Sequence, residues 1–159
     1  MRNVLIIGAG RSASSLIRYL LFKSYGENLH VTVADLSLHL AALKTQDHPN
    51  ATPIALNIFD AEERKKAIAN ASIVISMLPA HLHIEIAKDC LEFKKHLVTA
   101  SYISDAMQAL NEEAQKNNLI FMNEIGLDPG IDHMSAMKVI DEIRSKGGKM
   151  LLFESFCGG

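Results

Sequence analysis

The sequence predicts a three-layer α/β fold, in which a doubly wound parallel sheet lies between two layers of helices. An apolar strand, a glycine turn and a helix open the chain, and strand-like and helix-like segments then alternate along it. The first six of the strand-like segments divide along the chain into two groups of three. Because parallel strands joined by helices cross over with a right hand, we expect the strand order 3-2-1-4-5-6.

The glycine turn has the spacing of a dinucleotide-binding site. Gly8, Gly10 and Ala13 follow the apolar residues 4–7 in a G-x-G-x-x-A pattern. In that pattern the first glycine allows a tight turn, the second lets a pyrophosphate approach the backbone, and the small third residue lets the helix pack closely. The N–H groups and dipole of the helix N-terminus then favour the anion. We predict cofactor contacts at Gly8, Gly10, Arg11, Ser12 and Ala13; glycines that merely end a strand are the alternative.

An acid at the end of the second strand bears on the choice of cofactor. Asp35 follows the apolar residues 31–34, at the spacing where a carboxylate accepts hydrogen bonds from the adenosine ribose. A carboxylate also repels the 2′-phosphate of NADP, which predicts NAD as the cofactor. Arg11 and His39 could neutralise that phosphate, so NADP remains an alternative. A purely structural Asp35 that caps the next helix is another.

The remaining segments place further residues where ligands of this fold gather. Strands are predicted at 54–57, 73–78, 97–100, 119–122 and 150–156, and helices at 60–69, 81–93, 105–116 and 134–146. Ligands of doubly wound sheets lie outside the carboxyl ends of the strands. We therefore expect cofactor contacts at Met77, Leu78 and Pro79 after the fourth strand and at Ser101 after the fifth. For Met77 and Leu78, packing on the core is an equally supported and compatible role.

Composition and charge narrow the class of protein. The 159 residues, 48% of them hydrophobic, suffice for one domain with one substantial core. Sixteen basic and 18 acidic residues leave almost no net charge, which argues against a nucleic-acid partner. The apolar run 4–7 is too short to span a membrane, so no membrane partner is expected. Two distant cysteines without C-x-x-C spacing favour a reducing, cytoplasmic location.

Several polar and sulfur-containing side chains are assigned structural roles. His81 and His83 stand two residues apart, which on a helix turns their rings to different faces, so no metal site is expected. Arg64 and the two lysines after it are predicted to form a solvated helix face. Met134 and Met137 are predicted to fill gaps in the core.

The connection after the sixth strand is dense in chemistry and carries a family resemblance. Residues 122–133, MNEIGLDPGIDH, combine two glycines and a proline with carboxylates and an imidazole. Together with SMLP at 76–79, TASY at 99–102 and SFCGG at 155–159, this segment resembles saccharopine dehydrogenase of the L-glutamate-forming type, also called saccharopine reductase. The resemblance covers essentially the whole chain.

That resemblance implies a Rossmann-type NAD(P)-binding domain in residues 1–159, with a larger substrate domain expected after residue 159. It implies an oxidoreductase of lysine metabolism that interconverts saccharopine with L-glutamate and 2-aminoadipate 6-semialdehyde, and little turnover by this domain alone. The alternatives are an enzyme similar to carboxynorspermidine or homospermidine synthase, and a non-catalytic NAD(P)-binding module. A homodimer is compatible with each of them.

The resemblance also implies three residues that face an amino-acid substrate: Tyr102, Asp128 and Cys157. An ionised Asp128 could hold an ammonium group, Tyr102 could hydrogen-bond a carboxylate, and Cys157 could line the pocket near the transferred hydride. The structural alternatives are a side-chain turn at Asp128, a buried Cys157 and a Tyr102 packed at the sheet edge.

Hydride transfer coupled to imine hydrolysis also requires a group that accepts a proton from the secondary amine of saccharopine. The sequence offers Glu124, Asp128 and His133 as candidates for this catalytic role. Glu124 has the competing role of accepting loop N–H groups, and His133 that of an ordinary helix start. The base could equally belong to the substrate domain.

Overall fold

The computed structural model describes residues 1–157, and it contains one six-stranded parallel sheet. Its strands are β1 (Arg2–Ile7), β2 (Leu29–Asp35), β3 (Ala51–Ala55), β4 (Ile73–Ser76), β5 (His96–Thr99) and β6 (Phe121–Met122). Its helices are α1 (Ser14–Glu27), α2 (Leu38–Thr45), α3 (Ala61–Ala69), α4 (His83–Glu92), α5 (Asp105–Gln108), α6 (Asn111–Lys116) and α7 (Ile131–Ser145). The order β3-β2-β1-β4-β5-β6 confirms the prediction.

β1 occupies the centre of the sheet because its side chains are apolar on both faces. Every side chain from residue 4 to residue 7 is buried. Leu5 and Ile7 belong to a core cluster that includes residues of α3 and α4, whereas Val4 and Ile6 belong to a cluster that includes residues of α1 and α2. Helices therefore cover both faces, as the three-layer prediction requires. The carboxyl ends of the strands meet along one side, which we term the carboxyl edge.

The element boundaries differ from the prediction by up to three residues, and one predicted helix is divided into two. The segment predicted as one helix, 105–116, forms the two short helices α5 and α6. β3 spans Ala51–Ala55 instead of 54–57, because it pairs with β2 in the register that joins Val31 to Ala51. Pro53 is tolerated in this strand because β3 lies at the edge of the sheet, where a missing N–H breaks no ladder on the open side.

The predicted strand at 150–156 is wrong, because these residues have no regular structure. Leu151 and Phe156 are 88% and 89% exposed, and no strand within residues 1–157 pairs with them. The predicted core role of Met134 and Met137 is also wrong, since both side chains are exposed on α7. Apolar patterning identifies side chains that can be buried, but burial also requires a neighbouring surface, which these side chains lack within the described residues.

Candidate dinucleotide and substrate site

The glycine turn lies at the carboxyl edge, where β1 is flanked by β2 and β4. The N–H of Gly8 donates to the carbonyl of Ala34 at 2.8 Å. Gly8 has φ +108°, and a Cβ there would lie 2.9 Å from the carbonyl oxygen of Met77. A Cβ at the exposed Gly10 would meet no described atom within 4 Å. Gly8 is therefore required by the fold, whereas Gly10 leaves space in front of the turn.

Asp35 ties the glycine turn to the second helix. Its Oδ2 accepts a hydrogen bond from the backbone N–H of Ala9 at 2.8 Å, and its Oδ1 accepts one from the N–H of Ser37 at 2.9 Å. Sequence reasoning weighed a ribose ligand against a cap of the next helix, but Ser37 caps that helix instead. The bond from Ala9 to Asp35 was not predicted. Each carboxylate oxygen retains a second lone pair, so a ribose hydroxyl can still be accepted. Asp35 consequently shapes the turn whether or not it binds a ribose.

A cavity of about 160 Å³ opens beside Asp35. It is lined by Ile7, Gly8, Ala34, Asp35, Leu36, Leu56, Asn57, Ile58, Phe59 and Leu78, from the carboxyl ends of β1 to β4. Apolar walls next to one acid suit a flat base joined to a ribose. We term this cavity the base slot.

Arg64 stabilises the wall of the base slot that contains Ile58. Its Nε lies 2.5 Å from Oδ2 of Asp89 on α4, and its Nη1 donates to the carbonyl of Ile58 at 2.6 Å. The two side chains are only 9% and 5% exposed. The prediction that Arg64 lies on a solvated face is therefore wrong, because Asp89 offers a buried partner 25 residues along the chain.

A larger cavity, of about 940 Å³, lies between α1 and α2. Its lining includes Arg18, Phe22, Tyr25, Leu43 and His48, and none of the residues predicted to bind the cofactor. It belongs to the outer helical layer and not to the carboxyl edge. Because ligands of doubly wound sheets bind at the carboxyl ends of the strands, the smaller base slot is favoured as the cofactor site.

The other predicted cofactor residues follow the strands along the carboxyl edge. Arg11, Ser12 and Pro79 are exposed there, Met77, Leu78 and Ser101 are half-buried, and Ala13 is fully buried. Met77 also donates its backbone N–H to the carbonyl of Ile7 at 2.8 Å. Both roles weighed for Met77 and Leu78 are thus compatible with their positions.

A buried histidine that sequence reasoning treated only as an unsuitable metal ligand joins two of these strand ends. Nδ1 of His83 lies 2.8 Å from Oγ of Ser76, and Nε2 lies 2.9 Å from Oγ of Ser101. Burial lowers the pKa of His83, and the electrostatic interaction with His81 lowers it further. In the sequence, the polar residues Ser76, His83 and Ser101 among apolar neighbours are the only indication of this chain of hydrogen bonds.

The three residues predicted to face the substrate meet at the carboxyl edge. Oη of Tyr102 donates to Oδ1 of Asp128 at 2.5 Å, and this bond raises the pKa of Tyr102 to about 12. Asp128 also raises the pKa of the Cys157 thiol, chiefly through a hydrogen bond. Cys157 is exposed and Tyr102 is 60% exposed, so neither is buried in the core. Their binding roles remain predictions, but their proximity is observed.

Two glycines hold the loop that presents Asp128. The Asp128–Pro129 peptide bond in this loop is cis. A Cβ at Gly126 would lie 2.7 Å from the carbonyl oxygen of Ala100, and one at Gly130 would collide with the carbonyl oxygen of Gly126. The N–H of Gly126 donates to the carbonyl of Pro129 at 2.8 Å. The close approaches at the two glycines make the loop compact, and side chains at these positions would prevent them.

The two other candidate bases already have hydrogen-bond partners. Oε1 of Glu124 accepts the N–H of Ile103 at 3.1 Å. Nδ1 of His133 lies 2.8 Å from Oδ1 of Asp132, which also accepts the N–H of Gly130. These contacts correspond to the structural alternatives weighed for both residues, and their catalytic roles stay predictions.

Residues 1–157 contain neither a cluster of metal ligands nor a helix suited to span a membrane. No three His, Cys, Asp or Glu side chains in this range lie close enough together to hold a metal ion. None of its helices is both long and apolar enough to cross a membrane.

The Tyr102–Asp128 contact can be tested by titration. At pH 11 a phenol with a pKa of about 12 is only about one-tenth ionised, whereas one with the ordinary value of about 10 is about nine-tenths ionised. We expect Asp128→Asn to raise the tyrosinate absorbance of Tyr102 accordingly. Each spectrum is compared with the same chain carrying Tyr102→Phe, which isolates this residue. Equal tyrosinate signals from Tyr102 in the wild-type chain and in Asp128→Asn would contradict the contact.

The fold and the glycine turn define a dinucleotide-binding domain of the doubly wound class, with a polar cluster beside its far strands. The family model described as saccharopine dehydrogenase NADP binding domain matches residues 4–122. The model described as saccharopine dehydrogenase C-terminal domain matches residues 126–159. The chain belongs to the saccharopine dehydrogenase family.

Relatives extend this match along the whole chain. It is 38% identical to the NADP+, L-glutamate-forming saccharopine dehydrogenase of Schizosaccharomyces pombe over 100% of this chain and 35% of that protein. It is also 38% identical to the alpha-aminoadipic semialdehyde synthase of Arabidopsis thaliana, over 99% of this chain and 16% of that protein. The chain thus spans about a third of the fungal enzyme and a smaller part of the plant one.

Solved structures agree on the fold. The apo saccharopine dehydrogenase (L-Glu forming) of Saccharomyces cerevisiae superposes with a TM-score of 0.79 at 38% identity, covering 94% of this chain and 33% of that one. A 3-ketoreductase of Actinomadura kijaniata, solved in complex with NADP, gives a TM-score of 0.65 at 19% identity and covers 89% of this chain and 44% of that one. The second likeness shows the fold alone.

Proposed function

We propose that this chain is the dinucleotide-binding part of an NADP-dependent saccharopine dehydrogenase of the L-glutamate-forming type, which interconverts saccharopine with L-glutamate and 2-aminoadipate 6-semialdehyde. The observation that carries the proposal is the cluster of Tyr102, Asp128 and Cys157 at the carboxyl edge, on the side of the sheet beyond the glycine turn. A larger substrate domain after residue 159 belongs to this proposal, and it agrees with the fungal relatives, of which the chain spans about a third.

The glycine turn suits the pyrophosphate of a dinucleotide. No side chain among residues 1–157 caps the N-terminus of α1. The N–H of Ser14 donates to the carbonyl of Arg11 at 3.3 Å, and the N–H groups of Ser15 and Leu16 are available to an anion. Gly10 leaves the approach open. A nicotinamide dinucleotide held here supplies the hydride chemistry, whereas the protein binds and orients it.

The polar cluster suits a charged amino acid. The carboxylate of Asp128 can accept an ammonium group on Oδ2 while Oδ1 keeps its hydrogen bond from Tyr102, or the ammonium group can replace the phenol at Oδ1. In the second arrangement the phenol can donate to a substrate carboxylate instead. The cluster would then bind both charges of an amino-acid group.

Gly10→Val tests the cofactor site directly. A valine side chain should block approach to the turn, so we expect the dissociation constant of NADPH to rise at least about tenfold. The fold should be unchanged, because no described atom lies within 4 Å of a Cβ at this position. NADPH titration followed by calorimetry, with circular dichroism as the folding check, measures both. Gly26→Ala, also in open space, is the matched control, and wild-type affinity in Gly10→Val would exclude the proposed site.

A substitution at Asp35 tests the choice between NADP and NAD. The charge of Asp35 predicts NAD, whereas the names of the fungal relatives specify NADP+ and support the proposed NADP instead. The backbone contacts of Asp35 provide it with a role that does not depend on the cofactor. We expect Asp35→Ala to weaken NADPH and NADH alike, by about tenfold, because two N–H groups lose their acceptor. Titration with both cofactors measures this, with the exposed Asp141→Ala as control. Tighter NADPH binding together with weaker NADH binding would instead support NAD selection by charge.

The remaining predictions concern the substrate class, the oligomeric state, the cellular location and the alternative functions. An amino-acid substrate is in keeping with the names of the relatives. Homodimerisation and a cytoplasmic location stay predictions, and the cattle relative is named as a mitochondrial enzyme. Synthases of carboxynorspermidine or homospermidine and a non-catalytic module are not favoured by the family match.

A further inference from the structure

His83 connects the ends of two neighbouring strands at the carboxyl edge. Ser76 is the last residue of β4, and Ser101 follows the last residue of β5 by two positions. The imidazole lies between their hydroxyls, at 2.8 Å from the first and 2.9 Å from the second. His83 is 2% exposed and Ser76 is 0% exposed, so water does not reach the contact between these two residues.

The surroundings of Ser76 decide which ring nitrogen carries the proton. The Ser76 hydroxyl has no other hydrogen-bond partner within residues 1–157. A buried hydroxyl hydrogen without an acceptor is costly, so Ser76 donates to Nδ1 of His83. A neutral imidazole has one donor and one acceptor, so the hydrogen must then lie on Nε2. Burial favours this neutral ring by lowering the pKa of His83, as noted above.

This assignment gives the Ser101 hydroxyl a defined role. Its oxygen accepts the hydrogen bond from Nε2 of His83, so its own hydrogen is free to be donated elsewhere. Ser101 is half-buried at the carboxyl edge, and the next residue is Tyr102 of the polar cluster. The Ser101 hydroxyl is therefore a hydrogen-bond donor whose oxygen is held in place by His83. It lies next to the proposed site.

Sheet order indicates which half of a dinucleotide this donor would meet. The base slot lies at the ends of β1 to β4, and the glycine turn follows β1. A dinucleotide with its base in that slot and its pyrophosphate on the turn extends past β4 toward β5. Its carboxamide-bearing pyridine ring is the half that reaches Ser101.

We propose that His83 is a positioning residue, which is held as the Nε2–H tautomer by Ser76 and presents the Ser101 hydroxyl as a hydrogen-bond donor to the carboxamide oxygen of the bound nicotinamide. The proposal about the tautomer stands on this chain alone. The proposal about Ser101 rests on the proposed cofactor function.

The tautomer is read by nuclear magnetic resonance of the full 159-residue chain labelled with ¹⁵N-histidine, without cofactor. We expect a single Nε2–H pattern for His83 at neutral pH, assigned by its loss in His83→Gln. Ser76→Ala removes the donor to Nδ1, so a mixture of tautomers is expected in that variant. An Nδ1–H or doubly protonated pattern in the wild-type chain would overturn the proposal.

Cofactor binding tests the role of Ser101. One lost hydrogen bond corresponds to a rise of about 3- to 10-fold in the dissociation constant of NADPH for Ser101→Ala. Binding of 2′,5′-ADP, which lacks the nicotinamide half, should be unchanged. Ser145→Ala on the exposed face of α7 is the control. Equal losses for NADPH and 2′,5′-ADP, or no loss for either, would overturn the assignment of Ser101.

Two histidine variants separate positioning from simple packing. The amide of His83→Gln can reach the position of Nε2 and still donate to Ser101, whereas His83→Asn is too short to do so. We expect weaker NADPH binding in His83→Asn than in His83→Gln, and equal weakening would argue for packing alone. If the wild-type chain bound 2′,5′-ADP but not NADPH, the Ser101 assignment would fail. If it bound neither, the proposed function would fail, while the tautomer measurement would still stand.

Discussion

Arg64→Ala is expected to lower the free energy of unfolding by about 3–5 kcal/mol, because it leaves a buried carboxylate without its charge partner. The side chains of Arg64 and Asp89 are 9% and 5% exposed, so water cannot replace the lost guanidinium without opening the layer between α3 and α4. The carbonyl of Ile58 loses its donor as well. Urea unfolding of the variant and of the wild-type chain measures the difference.

Two controls separate the buried pair from loss of surface charge. Lys66→Ala, on the same helix but exposed, should change the stability by less than about 0.5 kcal/mol. The double variant Arg64→Met with Asp89→Leu removes both charges and should be more stable than Arg64→Ala, because no buried charge remains unpaired. A loss below about 1 kcal/mol in Arg64→Ala would show that the pair is solvated after all.

Gly8→Ala is expected to lower the free energy of unfolding by roughly 2–6 kcal/mol, because backbone strain and overpacking act at the same residue. The φ of +108° disfavours any side chain, and the added Cβ would lie 2.9 Å from the carbonyl oxygen of Met77. That carbonyl belongs to the backbone beyond β4, which cannot move without disturbing its bond to β1. Thermal and urea unfolding measure the loss.

Gly147→Ala isolates the strain from the collision. Gly147 has φ +76°, and a Cβ there would meet no described atom within 4 Å, so only the strain of about 1–2 kcal/mol should appear. The excess loss in Gly8→Ala then measures the contact between β1 and β4. If the two variants lost the same stability, close approach of the strands at Gly8 would be excluded.

The sequence predicted those parts of the molecule that depend on neighbouring residues and on the handedness of strand crossovers. The glycine turn, the position of Asp35 at the carboxyl end of β2 and the order of the six strands belong to this group. The resemblance of residues 122–133 to one family also brought out Tyr102, Asp128 and Cys157, which the structure places together.

Contacts between distant residues could not be predicted in this way. The charge of Arg64 next to two lysines is typical of a solvated face, and nothing local reveals that Asp89 lies opposite it. The apolar residues 150–156 are typical of a strand, but a strand forms only when another strand offers free N–H and C=O groups. Within residues 1–157, no strand pairs with this segment.

By itself, the sequence therefore determined the class of fold, the location of the dinucleotide turn and the residue types available for the chemistry, since backbone conformation and crossover handedness are local properties. Only the tertiary structure decided which polar groups are paired and which remain free. The contacts of Asp35 with Ala9, of Arg64 with Asp89, and of His83 with two serines each join residues from separate elements. Their burial and hydrogen bonding arise only when the sheet and its helices are packed together.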